Sequence, residues 1–446
     1  MIDLKVCLIS LGCPKNLVDS EEMLGALREA GWDLTTDSVQ ADAIVVNTCG
    51  FIEAAKEESI HAVLEAIRLK TESRCKVVAV VGCLSQRYAD DLRREIPELD
   101  AVVGVGRGPD LPGMLDRALA GERIFECGPP PSQWAEGRAR VLSTPPWTAY
   151  LKIADGCDNR CAYCAIPDIR GPFRSRPREM ILAEAKRLTK NGVRELILVA
   201  QDSTLYGNDL PVGESLPGLL RELCRAVEDG GRWIRLMYAY PARISDDLIE
   251  VIAGEEKICK YLDIPMQHGH PDALKRMGRR GDPGMYIERI STLRRACPEI
   301  ALRTTFMVGF PGETDEEFET LLDFVQEIEF DRVGAFVYSR EDGTPAAGMR
   351  PRVPKRVARE RYGKLMETQR GISVRKNRAL IGRTIEALVE GKCETGTFGR
   401  SYRDAPEIDG TVRLEGGDAA EPGAFARAKV VDANEHDLVA VLEGHM

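Results

Sequence analysis

Residues 157–164 read Cys157-Asp158-Asn159-Arg160-Cys161-Ala162-Tyr163-Cys164, so three cysteines follow one another with the spacing CxxxCxxC. A tight loop can bring their sulfurs together, and thiolates are the soft ligands that iron and zinc prefer. A structural zinc site normally has four protein ligands, but the stretch from Asp155 to Gly171 offers no fourth Cys or His. The spacing therefore favours a [4Fe-4S] cluster with one open iron over a zinc site or a loop of unrelated cysteines.

This loop resembles the signature of the radical S-adenosylmethionine (SAM) enzymes. The resemblance implies that a cluster on Cys157, Cys161 and Cys164 binds the amino and carboxylate groups of SAM at its open iron. An electron from the cluster then breaks a carbon–sulfur bond of SAM and releases a radical that abstracts hydrogen. The resemblance also implies that Tyr163, the aromatic residue before the last cysteine, lies beside the adenine.

The composition indicates a soluble globular protein with more than one domain. The chain has 446 residues, 43% hydrophobic and 30% charged, and one core rarely supports such a length. No leader pattern and no membrane-length apolar run is present, so we expect a cytoplasmic protein with no membrane partner. Thirteen cysteines without a secretion signal indicate reduced thiols and metal ligation. The net charge of −10 argues against a general nucleic-acid binder and suits a basic partner.

The first part of the chain alternates between short apolar runs and helical patterns. The apolar runs predict strands at residues 5–11, 43–46, 76–81, 101–104 and 123–126. The spacing of apolar residues between them predicts helices at about 19–30, 53–70 and 86–95. This alternation is typical of a parallel sheet with helices on its faces.

Three further cysteines each follow a predicted strand of this sheet. Cys13, Cys49 and Cys83 lie immediately past the carboxyl ends of the first three strands. Those ends share one edge of an open α/β sheet, so the three thiols would meet there. We therefore expect a second three-cysteine [4Fe-4S] cluster, with chance placement of buried cysteines as the alternative. Cys7 and Cys75 lie within or before strands and are predicted to be packing residues.

A proline-rich segment over residues 129–147 is the clearest linker, with proline at both ends and polar residues between. Beyond it, strands are predicted at 150–154, 195–199, 234–239, 261–264, 302–308 and 332–338. Six strand–helix units are too few for a closed eight-unit barrel, so we expect a partial (βα)6 barrel with its site at the carboxyl ends of the strands. The expected domains are 1–128, the linker 129–147, a radical-SAM domain at 148–378 and a last domain at 379–446.

Two segments after barrel strands are candidates for cofactor binding. Gln201 and Asp202 follow the second strand, where radical-SAM enzymes usually bind the SAM amino group with a short polar motif. Gly309 and Gly312 follow the fifth strand, where glycine would let the backbone approach a cofactor. A capped turn before the helix that begins at Asp315 explains these glycines about as well.

Two histidines, His268 and His270, stand in the sequence Gln267-His268-Gly269-His270. Two histidines alone make a poor metal site, so we favour substrate contact or hydrogen bonding. The sequence identifies no catalytic side chain.

Two neighbouring segments at the end of the chain carry opposite charges. Residues 352–378 hold ten cationic side chains and two glutamates, a net charge of +8. This charge indicates a solvated helix face, and contact with ribosomal RNA is the alternative. Residues 381–446 alternate like short strands between glycine-rich turns, which predicts a small antiparallel β-barrel. Its thirteen acids against seven cations give a net charge of −6, which would repel phosphates and attract a basic protein.

The three parts together resemble the radical-SAM methylthiotransferases, which insert sulfur into an unactivated C–H bond and cap it with methyl. In that family the last domain is a TRAM domain. One branch modifies a tRNA adenosine beside the anticodon, and the other modifies an aspartate of the small-subunit ribosomal protein numbered twelve. The tRNA branch typically has Gly-Cys-Gln-Met-Asn, Asn-Thr-Cys-Ser and Cys-Ile-Val-Pro. This chain instead follows the ribosomal-protein branch, with Gly12-Cys13-Pro14-Lys15-Asn16, Asn47-Thr48-Cys49-Gly50 and Cys164-Ala165-Ile166-Pro167.

The resemblance implies a transferase with two [4Fe-4S] clusters that uses two SAM molecules per turnover. One SAM would methylate sulfur at the Cys13, Cys49, Cys83 cluster, and the other would supply the radical. The substrate would be an aspartyl β-carbon of the ribosomal protein, free or on the ribosome, and an electron donor and a sulfur source would come from outside. A tRNA adenosine is the alternative substrate, made less favourable by the acidic last domain. An iron–sulfur or zinc scaffold is the non-enzyme alternative.

Overall fold

The computed structural model describes residues 4–134, 137, 139–227, 231–393, 396–416 and 421–443. These residues form a parallel α/β sheet, a partial barrel and a small closed barrel, in that order along the chain, which confirms the expected fold class. No helix in this part of the chain is long and apolar enough to cross a membrane. The domain limits at 128, 147 and 378 stay predictions.

The N-terminal sheet is parallel throughout and has the strand order β2-β1-β3-β4-β5-β6. Its strands are Lys5–Ser10 (β1), Asp33–Leu34 (β2), Ala43–Thr48 (β3), Val77–Gly82 (β4), Ala101–Val103 (β5) and Ile124–Glu126 (β6). Its helices are Pro14–Glu29 (α1), Glu53–Glu72 (α2), Cys83–Arg87 (α3), Ala89–Glu95 (α4) and Leu111–Leu119 (α5). Apolar side chains cover both faces, and Cys7 and Cys75 belong to one of these layers, which confirms them as packing residues.

The sequence patterns find most of this sheet but misplace parts of its helices. α1 begins at Pro14, earlier than the predicted start at residue 19. The prediction missed the first turn because that turn buries the polar side chains of Lys15 and Asn16 and so lacks an apolar pattern. The helix predicted over 86–95 is divided into α3 and α4 at Tyr88, whose backbone is not helical. The short strand β2 and the helix α5 are missing from the prediction.

The central sheet is a six-stranded parallel partial barrel with the order β14-β13-β12-β11-β10-β7. The strands of this part, including the small antiparallel pair β8 and β9, are Thr148–Lys152 (β7), Ala154–Asp155 (β8), Arg174–Ser175 (β9), Glu195–Val199 (β10), Trp233–Leu236 (β11), Ile258–Asp263 (β12), Ala301–Val308 (β13) and Arg332–Val337 (β14). Within the described residues β7 and β14 do not pair, so the barrel is open, as predicted.

Nine helices of the described chain accompany this barrel. They are Ile166–Arg170 (α6), Arg178–Lys190 (α7), Leu216–Ala226 (α8), Asp246–Gly254 (α9), Pro271–Arg276 (α10), Pro283–Ala296 (α11), Asp315–Ile328 (α12), Pro345–Gly348 (α13) and Lys355–Arg378 (α14). A capping box between Thr314 and Glu317 begins α12, which confirms the predicted capped turn.

The C-terminal part is a closed five-stranded barrel with the order β15-β16-β17-β19-β18. Its strands are Thr384–Cys393 (β15), Gly396–Ser401 (β16), Val412–Glu415 (β17), Phe425–Ala433 (β18) and Leu438–Leu442 (β19). Four pairs are antiparallel, as predicted, but β17 and β19 pair in parallel. A closed ring with an odd number of strands cannot be antiparallel throughout, so one parallel pair is required.

Buried polar contacts join the C-terminal barrel to the central one. Glu195 of β10 accepts from Arg235 at 2.8 Å and from Arg400 at 2.6 Å. The side chain of Asp409 is only 1% exposed and accepts a hydrogen bond from the Tyr261 hydroxyl at 2.7 Å. Asp409, counted above among the acids of the last domain, is therefore not a surface charge.

Buried arginines hold both the helix predicted to have a solvated face and the segment predicted to be a linker. In α14, Arg361 pairs with Glu313 at 2.6 Å, so this basic helix is only partly a solvated face. In the proline-rich segment, Arg140 pairs with Glu21 of α1 at 2.5 Å and with Glu184 of α7 at 2.8 Å. This segment therefore fastens the N-terminal sheet to the barrel as well as connecting them.

Candidate metal centre

Cys13, Cys49 and Cys83 meet at one edge of the N-terminal sheet. Cys13 precedes α1, Cys49 follows β3 and Cys83 begins α3. A Cβ on Gly12 would lie 3.2 Å from the Cys49 Sγ, and the Cys83 Sγ lies 3.5 Å from the Asn16 Oδ1 in the first turn of α1. The structure thus brings the three predicted ligands together, because they follow neighbouring parallel strands.

The three thiols share one buried environment. Burial, aided by Cys13 and Cys49 and opposed by Arg170, raises the pKa of Cys83 to about 12. Burial likewise raises the pKa of Cys49. Burial also acts to raise the pKa of Cys13, but Lys15 and Arg170 nearby bring it below its ordinary value. Crowded buried thiols ionise together only beside a shared positive charge, which a metal cluster supplies.

Backbone contacts hold the loop from Cys157 to Cys164 in place. The Cys157 N–H donates to the Gly171 carbonyl oxygen at 3.1 Å. Gly156, just before the loop, has a φ of 77°, and a side chain there would collide with the Pro172 carbonyl oxygen. Burial raises the pKa of Cys157 to about 11 and that of Cys164 to about 12. This loop is therefore a second set of crowded thiols suited to a shared cation.

Asp202 is fully engaged by partners within the protein. Its Oδ2 accepts from the Asn159 Nδ2 and from the Arg243 Nη1, both at 2.7 Å, and its Oδ1 accepts from the Thr204 N–H at 3.1 Å. Asn159 lies between the first two cysteines of the loop, so Asp202 and Arg243 orient that loop. Contact of Asp202 with SAM stays a prediction. The role of Arg243 has no signal in the sequence, because it depends on a contact across the barrel.

Two buried polar atoms beside the loop lack a hydrogen-bond partner in the described chain. Gln201 donates through Nε2 to the Asp155 Oδ1 at 3.0 Å, but its Oε1 is unpaired. Arg279 donates to the Tyr163 hydroxyl at 3.5 Å and to the Pro265 carbonyl oxygen at 2.5 Å, but its Nε is unpaired. Buried polar groups without partners are costly, so these atoms indicate room for a polar ligand. The sequence indicated Gln201 but gave no signal for Arg279, and contact of Gln201 with SAM stays a prediction.

Tyr163 belongs to a row of aromatic rings. Its ring centroid lies 6.5 Å from that of Phe310, which lies 5.4 Å from that of Tyr338, and both pairs are edge-to-face. Such a wall offers apolar area to a flat ring, as the predicted contact with adenine requires.

Gly309 and Gly312 stand on either side of the turn that carries Phe310, with φ values of 74° and 79°. A Cβ on Gly309 would lie 2.5 Å from the Cβ of Ala358 in α14, so packing already requires glycine there. The Gly309 N–H donates to the Glu313 Oε2 at 2.8 Å. The turn and its packing thus explain Gly309, and contact of these glycines with a cofactor stays a prediction.

His268 and His270 serve as hydrogen-bond acceptors. The His268 Nδ1 accepts from the His270 N–H at 2.9 Å, and the His270 Nδ1 accepts from the Asp272 N–H at 3.1 Å at the start of α10. His270, Asp272 and Glu317 lie close enough to share an ion, but Glu317 is held by both terminal nitrogens of Arg276, at 2.7 and 2.6 Å. The hydrogen bonding that we favoured for these histidines is observed, and substrate contact stays a prediction.

Arg170 joins the two sets of cysteines, and no sequence pattern indicates it. It ends α6, the short helix after Cys164, and its side chain is 2% exposed. Its Nη1 donates to both carboxylate oxygens of Asp155, at 3.0 and 3.1 Å. Its Nη2 donates to the Asn16 Oδ1 at 2.6 Å and to the Asp19 Oδ2 at 2.8 Å. Since Asn16 and Asp19 lie in the first turns of α1, Arg170 ties the loop region to the N-terminal cysteine edge.

Three family models match the chain. The radical SAM superfamily model matches residues 151–325, the model of uncharacterized protein family UPF0004 matches residues 5–104, and the TRAM domain model matches residues 381–442. These matches fall on the partial barrel, the N-terminal sheet and the closed barrel.

Curated relatives match over almost the whole length. The ribosomal protein uS12 methylthiotransferase RimO of Geobacter sulfurreducens is 49% identical over 439 residues, 98% of this chain and 98% of the relative. The protein of the same name from Trichlorobacter lovleyi is 50% identical over 440 residues, 98% of this chain and 97% of the relative.

Solved structures show the same fold at low identity. The radical S-adenosylmethionine methyltransferase TsrM from Kitasatospora setae, solved with cobalamin and a [4Fe-4S] cluster, has a TM-score of 0.58 at 16% identity, covering 78% of this chain and 77% of TsrM. The cobalamin-dependent S-adenosylmethionine radical enzyme OxsB has a TM-score of 0.51 at 15% identity, covering 83% of this chain and 56% of OxsB.

Proposed function

The chain belongs to the family of ribosomal protein uS12 methylthiotransferases named RimO, and we propose from this that it adds a methylthio group to the β-carbon of an aspartate in uS12. The observation that carries this function is the identity of 49 to 50% to those enzymes over 98% of the chain. The chain is thus a transferase, and we place its reaction in the cytoplasm, where ribosomal proteins are found.

An iron–sulfur cluster and SAM follow from membership of the radical SAM superfamily. We propose two clusters, one on Cys157, Cys161 and Cys164 and one on the second set of cysteines at the N-terminal edge. Thiolates are the preferred ligands of such clusters, and both sets consist of three crowded, largely buried thiols. When bound, the cluster of the loop supplies the electron that cleaves SAM into a radical able to take hydrogen from carbon.

The side chains around the loop would bind and orient SAM. Gln201 Oε1 and Arg279 Nε are two of the buried atoms without a partner in the described chain, so we assign them to the polar end of SAM, and Tyr163 to its adenine. Asp202 and Arg243 hold Asn159 and thereby the loop itself. Two SAM molecules per turnover, an outside electron donor and an outside sulfur source belong to the same proposal.

Iron analysis of cysteine variants tests the two-cluster arrangement. Two clusters correspond to about eight iron atoms per chain. Replacing Cys157, Cys161 and Cys164 with Ala should remove about half of this iron and all cleavage of SAM. Replacing Cys13, Cys49 and Cys83 should also remove about half, preserve SAM cleavage and abolish methylthiolation. Loss of all iron in the second variant would contradict two separate sites.

Mass spectrometry of a deletion strain tests the substrate. We expect uS12 to lack the mass of a methylthio group and the tRNA to be unchanged, and a plasmid copy of the gene should restore the mass of uS12. Loss of a tRNA modification with uS12 unchanged would instead assign the enzyme to the tRNA branch.

A further inference from the structure

Lys15 is a buried cation without a carboxylate partner among the described residues. It lies in the first turn of α1, two positions after Cys13, and is 8% exposed. No described carboxylate comes within 4.0 Å of its Nζ, whereas the buried cations nearby are paired, Lys152 with Asp19 and Arg170 with Asp155. A buried ammonium is costly without anionic partners, and apart from the Cys13 thiol, whose pKa Lys15 lowers, the described residues offer it no carboxylate, so it can accept one from a ligand.

The Lys15 ammonium lies over the ring of a tyrosine whose backbone conformation is unusual. Its Nζ lies 3.5 Å from the centroid of the Tyr238 ring. Tyr238 follows β11 and has a φ of 60°, which is strained for a residue other than glycine. Its N–H donates to the Asp263 Oδ2 at 3.2 Å, and its carbonyl oxygen accepts from the Ser203 N–H at 3.0 Å. The surrounding barrel therefore holds the strained backbone that places this ring under the ammonium.

This position lies between the two sets of cysteines. Val18, one turn after Lys15, packs with Tyr150 and Met237 of the barrel, so the start of α1 closes part of the barrel mouth. Tyr238 marks the carboxyl end of a barrel strand, where barrel enzymes bind their substrates. Lys15 is two positions from Cys13, and Tyr238 contacts Ser203, whose neighbour Asp202 binds Asn159 of the cysteine loop. Lys15 therefore lies where a substrate carbon can approach both sets of cysteines.

We propose that the Lys15 ammonium binds the side-chain carboxylate of the substrate aspartate, which makes Lys15 a specificity-determining residue. This inference rests on the proposed function. The β-carbon that reacts is bonded directly to that carboxylate, so a charge-assisted hydrogen bond from a buried cation fixes the distance and orientation of the reacting carbon. The uncharged adenine of a tRNA substrate has no carboxylate with which this cation could pair.

Equilibrium binding of uS12 to the cluster-loaded enzyme tests the inference. Two forms of uS12 are titrated, the natural one and one in which the modified aspartate is replaced by asparagine. The wild-type enzyme should prefer the aspartate form by about 10-fold, the value of one buried charged hydrogen bond. Lys15→Met and Lys15→Gln should bind both forms equally, and Lys15→Arg should keep a preference. Two uncharged variants are used so that one can report if the other folds poorly.

The alternative role of Lys15 is to balance the charge of the Cys13 thiolate. Iron content and the reduction potential of each cluster are therefore measured for the same variants. A changed potential with an unchanged aspartate-over-asparagine ratio would overturn the inference in favour of that role. If the wild-type enzyme binds and modifies tRNA and not uS12, the proposed function fails. If the wild type binds uS12 and Lys15→Met keeps the preference, only the inference about Lys15 fails.

Discussion

Replacing Arg170 with methionine should loosen the contact between the N-terminal sheet and the barrel. Methionine keeps most of the buried side-chain volume but removes the four hydrogen bonds to Asp155, Asn16 and Asp19. Burial acts to raise the pKa of Asp155, and Arg170, followed by Lys152, holds it well below its ordinary value. Without Arg170 this buried carboxylate loses its closest cation.

The size of the effect follows from the partners that remain. Breaking a buried ion pair on one side typically costs about 3–5 kcal/mol. Lys152 is still 3.9 Å from Asp155, and Gln201 still donates to it, so we expect about 3 kcal/mol. Arg94→Met is the control, because Arg94 lies on the exposed surface of α4 and its replacement should leave the urea midpoint nearly unchanged.

Urea unfolding followed by tryptophan fluorescence measures this difference. Arg170→Met should unfold at a lower urea concentration than the wild type, and limited proteolysis should cut between the sheet and the barrel. The double variant Arg170→Met with Asp155→Asn should recover part of the loss, because no unpaired charge is then buried. An Arg170→Met protein that unfolds like the wild type, with normal iron content, would refute the structural role of this arginine.

Three further outcomes are expected. Burial acts to raise the pKa of Glu184, but its two arginine partners lower the pKa from 4.5 to about 2. About 3 kcal/mol of stability should therefore be lost as the pH falls from above 4.5 through 2. Acid unfolding of the apo Glu184→Gln protein should not show this pH-dependent loss. Gly156→Ala should lower the iron content by about half by distorting the cysteine loop, whereas Gly363→Ala, which meets no neighbour, should not. Replacing the exposed Glu407 and Glu415 with Lys should weaken uS12 binding roughly fivefold at low salt and less at high salt. As a control, two glutamate-to-lysine changes on the exposed face of α2 should leave uS12 binding unchanged. Tighter tRNA binding together with tRNA modification would contradict the assignment.

The cysteine sites could be predicted because each depends on a local pattern. β3 and β4 are short, fully buried strands that begin with an apolar run, and Cys49 and Cys83 follow them directly. Parallel strands bring such positions to one edge whatever the details of packing. The open barrel follows from the count of strand–helix units in the same way.

The buried polar contacts could not be predicted, because they join residues far apart in the sequence. Asp409 looks like a surface acid until the fold brings it to Tyr261, 148 positions earlier. Arg170 and Asn16 are 154 positions apart. Local charge patterns assume that polar side chains are solvated, which is the usual case. One local signal was available for α1, since proline is favoured at the first position of a helix and Pro14 stands there.

The N-terminal cysteine edge is completed by the central domain. Ala165, just before α6, and Ile169 of α6 pack in one buried cluster with Cys83. Burial acts to raise the pKa of Cys13, and Arg170 at the end of α6 helps to lower it. An N-terminal sheet on its own would lack both this apolar cover and this cation. Its thiols would then ionise less readily and meet water more often, and both effects weaken metal binding. We therefore expect the proposed N-terminal cluster to be acquired together with the docking of the two domains, not before it.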